Sequence, residues 1–383
     1  MSRRTATARI AAALLSAALL CLGLAAGAAA KKPPQGKEVG VMTRNVYLGA
    51  DLTPAIQAPS LPAFIEANGA ILRQVEATNF PVRARGLARE ILSAEPDLVG
   101  LQEVALWRTA PPSLGPVLSG TPTATTVKYD FLQLLLRHLN KGKKRYRVVV
   151  AQDEFDFEAP ADANGVPGDG PPGILANAEL NGRLTMRDVI LARVGAGVRT
   201  FGPAGGHFST LLVVKVAGKE IPVTRGWTRV DAKVRGSWRF RFVNTHLEAF
   251  DPETVVPSVR AQQAAELIAP GGPARSRLPV VLVGDLNSDV RTEVKPGDAQ
   301  AYQVLLDAGF RERARNAPLS CCIDSYDLRG GSAAQFNHRV DHVMTDTPRK
   351  VKLSRSQVTG RQKRAGYWDS DHAGIFSALR LLR

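Results

Sequence analysis

Short apolar runs that stop abruptly at an acid, an amide or an imidazole recur along this chain. "EVGVMTRNVYLG" reads as a first strand ending near Asn45. "FPVRARGLAREILSAEPD" carries Val82, Leu87, Ile91 and Leu92 at helical spacing, and Pro96 stops it. "DLVGLQEV" predicts a short buried strand ending at Glu103. Residues 105–128, rich in Pro, Thr and Gly, read as a loop. "DFLQLLLRHLNKG" predicts a helix capped by Asp130 and ended by Gly142, and "RYRVVVAQDEFDF" a strand. After a second loop, "APADANGVPGDGPPG", the texture turns strand-like in "TMRDVILARVG", "FSTLLVVKVAG", "KEIPVTRGWTRVDAKV" and "SWRFRFVNTHLEAF". "SVRAQQAAELIA" and "AYQVLLDAGF" predict helices; "LPVVLVGDLNSD", "FNHRVDHVMT" and "HAGIFSALRLL" predict strands. The pattern implies a mixed α/β protein with two packed sheets flanked by helices.

Composition adds a location and a sign. Of 383 residues 44% are hydrophobic, ample for a packed core, and length alone suggests about two domains. Arg3, Arg4 and Arg9 precede the apolar run "IAAALLSAALLCLGLAA", and small residues lead to Ala30, the pattern of a secretory signal over residues 1–30. The run is short for a membrane anchor, and no later stretch reaches spanning length. The mature protein is expected to be secreted, with residues 31–38 a polar lead-in and 39–383 the remaining chain. Cleavage removes three arginines and no acids, so the formal charge falls from +15 to +12. Basic stretches "KGKKRYR" (141–147) and "PRKVKLSRSQVTGRQKR" (348–364) suit a polyanionic partner, or equally a solvated surface. Cys321 and Cys322 are neighbours with no zinc spacing; a vicinal disulfide, free thiols and pairing between chains are all open to them.

The polar residues at the strand ends form an ordered set: Asn45, Glu103, Asn244 and His246, Asp285 and Asn287, Asp341, then Asp371 and His372. A single strand-end Asn or Asp is more often a turn former than a ligand. Asp285 and Asn287, two apart on an extended segment, are expected on one face, as are Asn244 and His246. Together the motifs "TRNVYLG", "LVGLQEV", "FVNTHLEA", "VVLVGDLNSD", "RVDHVM" and "SDHAGI" resemble those of the endonuclease/exonuclease/phosphatase superfamily. Its members include DNase I-like nucleases, abasic-site endonucleases, neutral sphingomyelinases and inositol polyphosphate 5-phosphatases. The resemblance runs from Asn45 to His372 and implies a secreted, bacterial-type member. It implies one catalytic domain over residues 39–383, not two. Its fold would be the DNase I-like four-layer α/β sandwich, two mixed β-sheets packed face to face between helices.

The resemblance also implies roles. Glu103 is the principal metal carboxylate with Asn45 beside it, and Asp371 contacts a metal or its water. Hard oxygen ligands suit Mg²⁺, with Mn²⁺ as a substitute. Asp285 activates or orients the attacking water, and Asn287 holds that water or the phosphate. Asn244 lies with His246, which contacts the phosphate or the leaving oxygen. Asp341 orients His372; whether Asp285 or His372 is the base stays open. Arg187 or Asp188 fills a further phosphate-side position, although an Arg187–Asp188 pair on a surface strand is the bland alternative.

The expected activity is Mg²⁺-dependent phosphoester hydrolysis, with nucleic acid favoured as substrate by the basic charge. A sphingomyelinase-type lipid phosphodiesterase acting at an anionic or sphingolipid membrane surface is the alternative, and an inositol-phosphate phosphatase the third reading. Aromatics are only 6%, and no obvious aromatic hairpin marks a membrane-binding loop. A binding protein on an inactive copy of the fold is the reading of a different class. No stable protein partner is implied.

Overall fold

The computed structural model describes residues 37–382 except 217, 235–237, 251–255, 290–298 and 315–318. The signal reading and most of the polar lead-in lie outside the described residues. Among them, the strands in chain order begin with β1 (Lys37–Asn45), β2 (Leu98–Gln102), β3 (Leu106–Ala110) and β4 (Thr126–Asp130). Then come β5 (Tyr146–Ala161), β6 (Leu180–Arg193), β7 (Val198–His207), β8 (Leu212–Val216), β9 (Lys219–Val223) and β10 (Gly226–Val234). The last are β11 (Arg239–His246), β12 (Val280–Asp285), β13 (Arg311–Glu312), β14 (Asp341–Thr345), β15 (Val351–Thr359) and β16 (Gly374–Leu381). The helices are α1 (Thr53–Ile56), α2 (Leu61–Ala77), α3 (Phe80–Ala94), α4 (Gly115–Ser119), α5 (Phe131–Leu139), α6 (Val259–Ile268) and α7 (Gln300–Asp307).

Two mixed sheets result. The first runs β15-β16-β1-β2-β6-β3-β4, with β5 also paired to β6; the second runs β13-β14-β12-β11-β10-β7. The β1–β2 and β11–β12 pairs are parallel and the others antiparallel. Alternation along each strand separates two cores. Val39 and Val41 of β1 meet Val281 and Val283 of β12, Phe240 and Phe242 of β11, and Val343 of β14 between the sheets. Met42, Val99 and Leu101 point the other way, onto Phe80, Leu87 and Ile91 of α3. On the second sheet Val280 and Leu282 face Leu267 of α6 and Leu305 of α7. Strands buried on both faces are why these runs read as continuous apolar blocks. The layers are therefore helix, sheet, sheet, helix, the DNase I-like sandwich. Fully burying each Phe or Val of the inner core contributes roughly 1.5–3 kcal/mol.

Gly100 shows how tightly the sheets meet. A Cβ there would lie 2.4 Å from Asn244 Oδ1 and 2.7 Å from Val283 Cγ2.

Several sequence expectations are corrected. Residues 105–128 are not a loop: β3, α4 and the start of β4 lie there. Trp107 anchors the segment, buried and donating its indole N–H to Leu48 O at 2.9 Å. Its Pro, Thr and Gly content concealed strands held by pairing with β6. Asp130 does cap α5, accepting from Gln133 N, but Asn140 rather than Gly142 closes it, its side chain accepting from Arg145 N and Tyr146 N. β5 continues to Ala161, into the expected second loop, because it stays paired to β6 as far as Leu180. "KEIPVTRGWTRVDAKV" divides into β9 and β10. Helix α2, strand β7 and edge strand β15 occupy stretches for which the pattern predicts no element.

Candidate active site

The polar residues converge where the same ends of both sheets meet. On the first sheet Asn45 ends β1, Glu103 follows β2 and His372 precedes β16, and these three strands are neighbours. On the second, His246 lies opposite Asp285, and Asp285 opposite Asp341, on adjacent strands.

Buried arginines hold the chain segments together. Arg44 pairs with Glu90 at 3.0 Å and donates to His372 O at 2.6 Å. Arg83, fully buried, donates to the carbonyls of Thr78, Val46, Asp369 and Tyr47. Ser370 Oγ donates to Asn45 O at 2.9 Å. The chain's distant segments thus close one site.

Asn45 Nδ2 donates to both Glu103 Oε1 and Asp285 Oδ2 at 3.0 Å, while its Oδ1 accepts from Tyr47 N. Glu103 Oε2 accepts from Leu48 N at 2.8 Å. His246 Nε2 lies 3.8 Å from Asp285 and 4.0 Å from Glu103. His372 Nε2 lies 3.7 Å from Asp285 Oδ2, and its Nδ1 lies 2.9 Å from Asp341 Oδ2. Ser320 donates to that same oxygen of Asp341 at 2.7 Å. Asp371 is brought to the same place, accepting from Ser370 Oγ.

Tyr47, Glu103 and Asn287 adopt positive φ of 59°, 58° and 46°. Such conformations are uncommon for non-glycine residues and cluster at functional sites. For Asn287 this revises the expected geometry. β12 stops at Asp285, and the two side chains do not meet through strand alternation. Instead a turn folds back: Asn287 N donates to Asp285 Oδ1 at 2.9 Å, and Asn287 Nδ2 reaches within 3.1 Å of His246 Nε2.

Asn244 and Arg187 stand apart from this group. Asn244 is buried between the sheets, donating to Leu101 O and Thr228 Oγ1 and accepting from Gln102 Nε2. Arg187 donates to the carbonyls of Val104 and Ala105 and pairs with Asp130 at 2.7 Å, bracing the turn that carries Glu103. It is not paired with Asp188. Asp188 turns inward instead, and neither carboxylate oxygen has a hydrogen-bond partner.

The environment separates the two histidines. Burial disfavours charge on His372, but Asp341, Asp371 and Asp285 outweigh it and raise its pKa well above the ordinary value. Burial and the neighbouring Arg225 hold His246 well below it. The two imidazoles are thus shifted in opposite directions, as in a divided acid–base site. Burial pushes Asp285 up to about 6, with His372 opposing the rise. Burial and Asp371 raise Glu103, and burial raises Asp371 and Asp188.

Burial drives these carboxylates upward together, and the neighbouring His372, Arg83 and Arg225 do not offset it. The orphaned oxygens of Asp188, beside Glu103 and Asp285, make the same point. An all-oxygen set of this kind fits a hard divalent cation. Glu103, Asp285 and Asp371 with the Asn45 amide would hold it, and when bound it supplies Lewis-acid charge neutralisation at a phosphoryl oxygen. Asp285, Asp341 and His372 also place ligand atoms within 4.8 Å of one another. The chain's own groups can orient a water between Asp285 and Asn287 and present a proton from His372.

Arg225 was missed by the sequence reading. It is buried, lies 3.2 Å from His246 Nδ1 and pairs with Glu248 at 3.5 Å. A lone Arg in "VTRGW" carries no signal of this. Cys321 and Cys322 are joined to each other, and Cys322 Sγ lies 3.8 Å from His372 Nε2.

Of the two basic segments, one lies elsewhere and the other runs along the edge of the sheet. Ala192 is opposite Leu98, the first residue of β2, and Tyr146 is opposite Arg193. Residues 141–147 therefore sit at the far end of the sheet from Glu103, roughly 16 Å of strand away. In 348–364, Val351 pairs with Leu381 at the far end, but the strand runs up to Thr359 opposite Gly374, two residues from His372. Arg361 is held by the carbonyls of Leu319 and Ala333, and Arg364 by Asp369 at 2.6 Å. An apolar cavity of about 650 Å³ does open at the site, with Glu103, Asp371 and Arg225 at its edge.

The model of the Endonuclease/Exonuclease/phosphatase family matches residues 45–372. An endonuclease/exonuclease/phosphatase family protein from Leptotrichia buccalis C-1013-b superposes with a TM-score of 0.52 at 14% identity, covering 90% of this chain and 100% of its own. A protein of the same description from Bacteroides thetaiotaomicron gives 0.50 at 15% identity, covering 91% and 99%. These likenesses are in fold. No curated protein matches the chain.

Proposed function

The chain belongs to the endonuclease/exonuclease/phosphatase family, whose members hydrolyse phosphoester bonds and generally depend on a divalent metal, and we propose that it is a secreted, Mg²⁺-dependent phosphodiesterase. One observation carries the reading: the carboxylates Glu103, Asp285 and Asp371 gather around Asn45, facing His246 and His372. Mn²⁺ would substitute for Mg²⁺ in an oxygen-ligand site. Secretion rests on the signal pattern of residues 1–30.

Nucleic acid is the substrate favoured by the formal charge, +15 for the whole sequence and +12 without residues 1–30. The lysines of 141–147, however, are remote from the site, and Arg361 and Arg364 are engaged within the fold. A lipid phosphodiester is the second reading, carried by the apolar cavity beside Glu103.

The test is a panel of plasmid DNA, RNA, sphingomyelin vesicles, inositol phosphates and bis(p-nitrophenyl) phosphate, each with Mg²⁺ or with EDTA. EDTA-sensitive hydrolysis of a diester is the expected result. Hydrolysis that ignores EDTA, or none on any substrate, would overturn it.

A further inference from the structure

A hairpin with one apolar face lines a cavity beside the candidate site. Strands β8 and β9 pair Leu212 with Val223 and Val214 with Ile221, and Val213, Lys215, Glu220 and Pro222 occupy the exposed positions between them. Leu212, Val214, Val216, Ile221 and Val223 therefore share the inner face. Opposite them lie Phe155 and Phe157 of β5, Leu184 and Met186 of β6, and Phe64 and Leu72 of α2. Two apolar walls of this kind normally close on each other, because interiors pack to crystal-like density with few voids larger than a water. Here Val214, Val216 and Ile221 do pack against that core, yet both walls also border a cavity of about 650 Å³ that extends to Glu103 and Asp371, within the roughly 300–1,000 Å³ span of small-molecule sites.

The charged groups of the lining gather at the catalytic side, and the polar Asn68 on α2 is occupied by donating to Pro160 O at 3.2 Å. Glu103, Asp371 and Arg225 stand at the catalytic side, with Asp51, Gln74 and Asp324 nearby. Between the hairpin and β5–β6 the walls are hydrocarbon and aromatic. A base or sugar placed there would lose its hydrogen bonds to water without replacement. A hydrocarbon chain would lose none.

We propose that the substrate is a phosphoester of a hydrocarbon-bearing alcohol, its chain lying between the β8–β9 hairpin and the β5–β6 wall while its phosphate sits at Glu103. This rests on the phosphoester hydrolase reading and names the substrate class. The chain is either a straight alkyl or acyl tail or a branched isoprenoid; both satisfy the same walls.

The experiment uses the purified protein and a series of alkyl p-nitrophenyl phosphate diesters, methyl, octyl, dodecyl and farnesyl, below their aggregation concentrations. Each methylene taken from water is worth up to about fourfold in binding. The expected result is a rise in kcat/KM of at least about 100-fold from methyl to dodecyl or farnesyl, the better of the two identifying the source. Val214→Asp, and separately Leu184→Trp, are expected to reduce the long-to-short ratio at least about tenfold. Near-UV circular dichroism establishes that each variant has folded, and Leu184→Trp serves if the hairpin variant does not. EDTA-sensitive hydrolysis with no dependence on chain length, or a ratio unchanged in a folded variant, overturns the proposal and leaves the hydrolase reading standing. If none of these diesters is hydrolysed, the substrate panel described above decides the hydrolase reading. Calorimetric binding of dodecyl- against methylphosphonate then decides the cavity by itself: tighter binding of the dodecyl compound supports it, and equal or absent binding overturns it.

Discussion

Asp341 Oδ2 lies 2.9 Å from His372 Nδ1 and accepts a second hydrogen bond from Ser320. The carboxylate fixes the ring and favours its charged form. Asp341→Asn keeps the shape and removes the charge, so the proton on His372 is lost at lower pH. The variant is expected to lose at least about tenfold in kcat. Its alkaline limb should move towards neutrality in a kcat–pH profile. An unmoved limb would show that His372 does not govern it.

Glu103→Gln removes one charge from the carboxylate group while leaving an acceptor for Leu48 N. The Mg²⁺ concentration for half-maximal rate should rise at least about tenfold. Mg²⁺ should raise the Tm of the parent protein and raise that of the variant much less. Equal thermal shifts would remove Glu103 from the metal site.

Arg187→Met separates a bracing role from a substrate role. Loss of the fork to Asp130, Val104 and Ala105 should cost about 1.5–3 kcal/mol in urea unfolding. The expected kinetic signature is a lower kcat from a loosened Glu103, with KM little altered. A large rise in KM without loss of stability would mean that Arg187 touches the phosphate.

Glu312 and His342 form a buried pair at 2.8 Å behind the second sheet. Burial alone would raise Glu312, but the hydrogen bond and charge of His342, Arg339 and the Ala314 amide outweigh it and lower its pKa. The stabilisation is therefore present above the ordinary carboxylate pKa of ~4.3 and lost as pH falls through the lower folded value. Glu312→Gln should be about 3 kcal/mol less stable at pH 7. The gap should narrow in urea titrations repeated below pH 4, and a gap independent of pH would refute the linkage.

The strand ends were legible because a polar group finishing an apolar run is costly unless it is used. Asp285 after "VVLVG" and Glu103 after "LVGLQ" announce themselves in this way. Asn244 meets the same criterion and serves instead to fasten the sheets, since sequence shows that a polar group is buried and not which way it faces. Arg225 and Glu248 were illegible because single charges beside turns are commonplace. The cavity was illegible for a deeper reason. Periodicity identified "FSTLLVVKVAG" and "TMRDVILARVG" as strands with apolar faces, but such faces read alike whether or not a cavity lies beside them.

The pairing of β1 with β16 sets a clock. Val39 lies opposite Leu379, and Arg44 grips the carbonyl of His372 across 328 positions of sequence. Closing so long a loop comes late and slowly in folding. Until β16 is synthesised and zipped onto β1, His372 has no place beside Asp341, and a half-made chain holds Asn45 and Glu103 without their partners. The complete set of polar groups thus exists only once β16 is paired with β1.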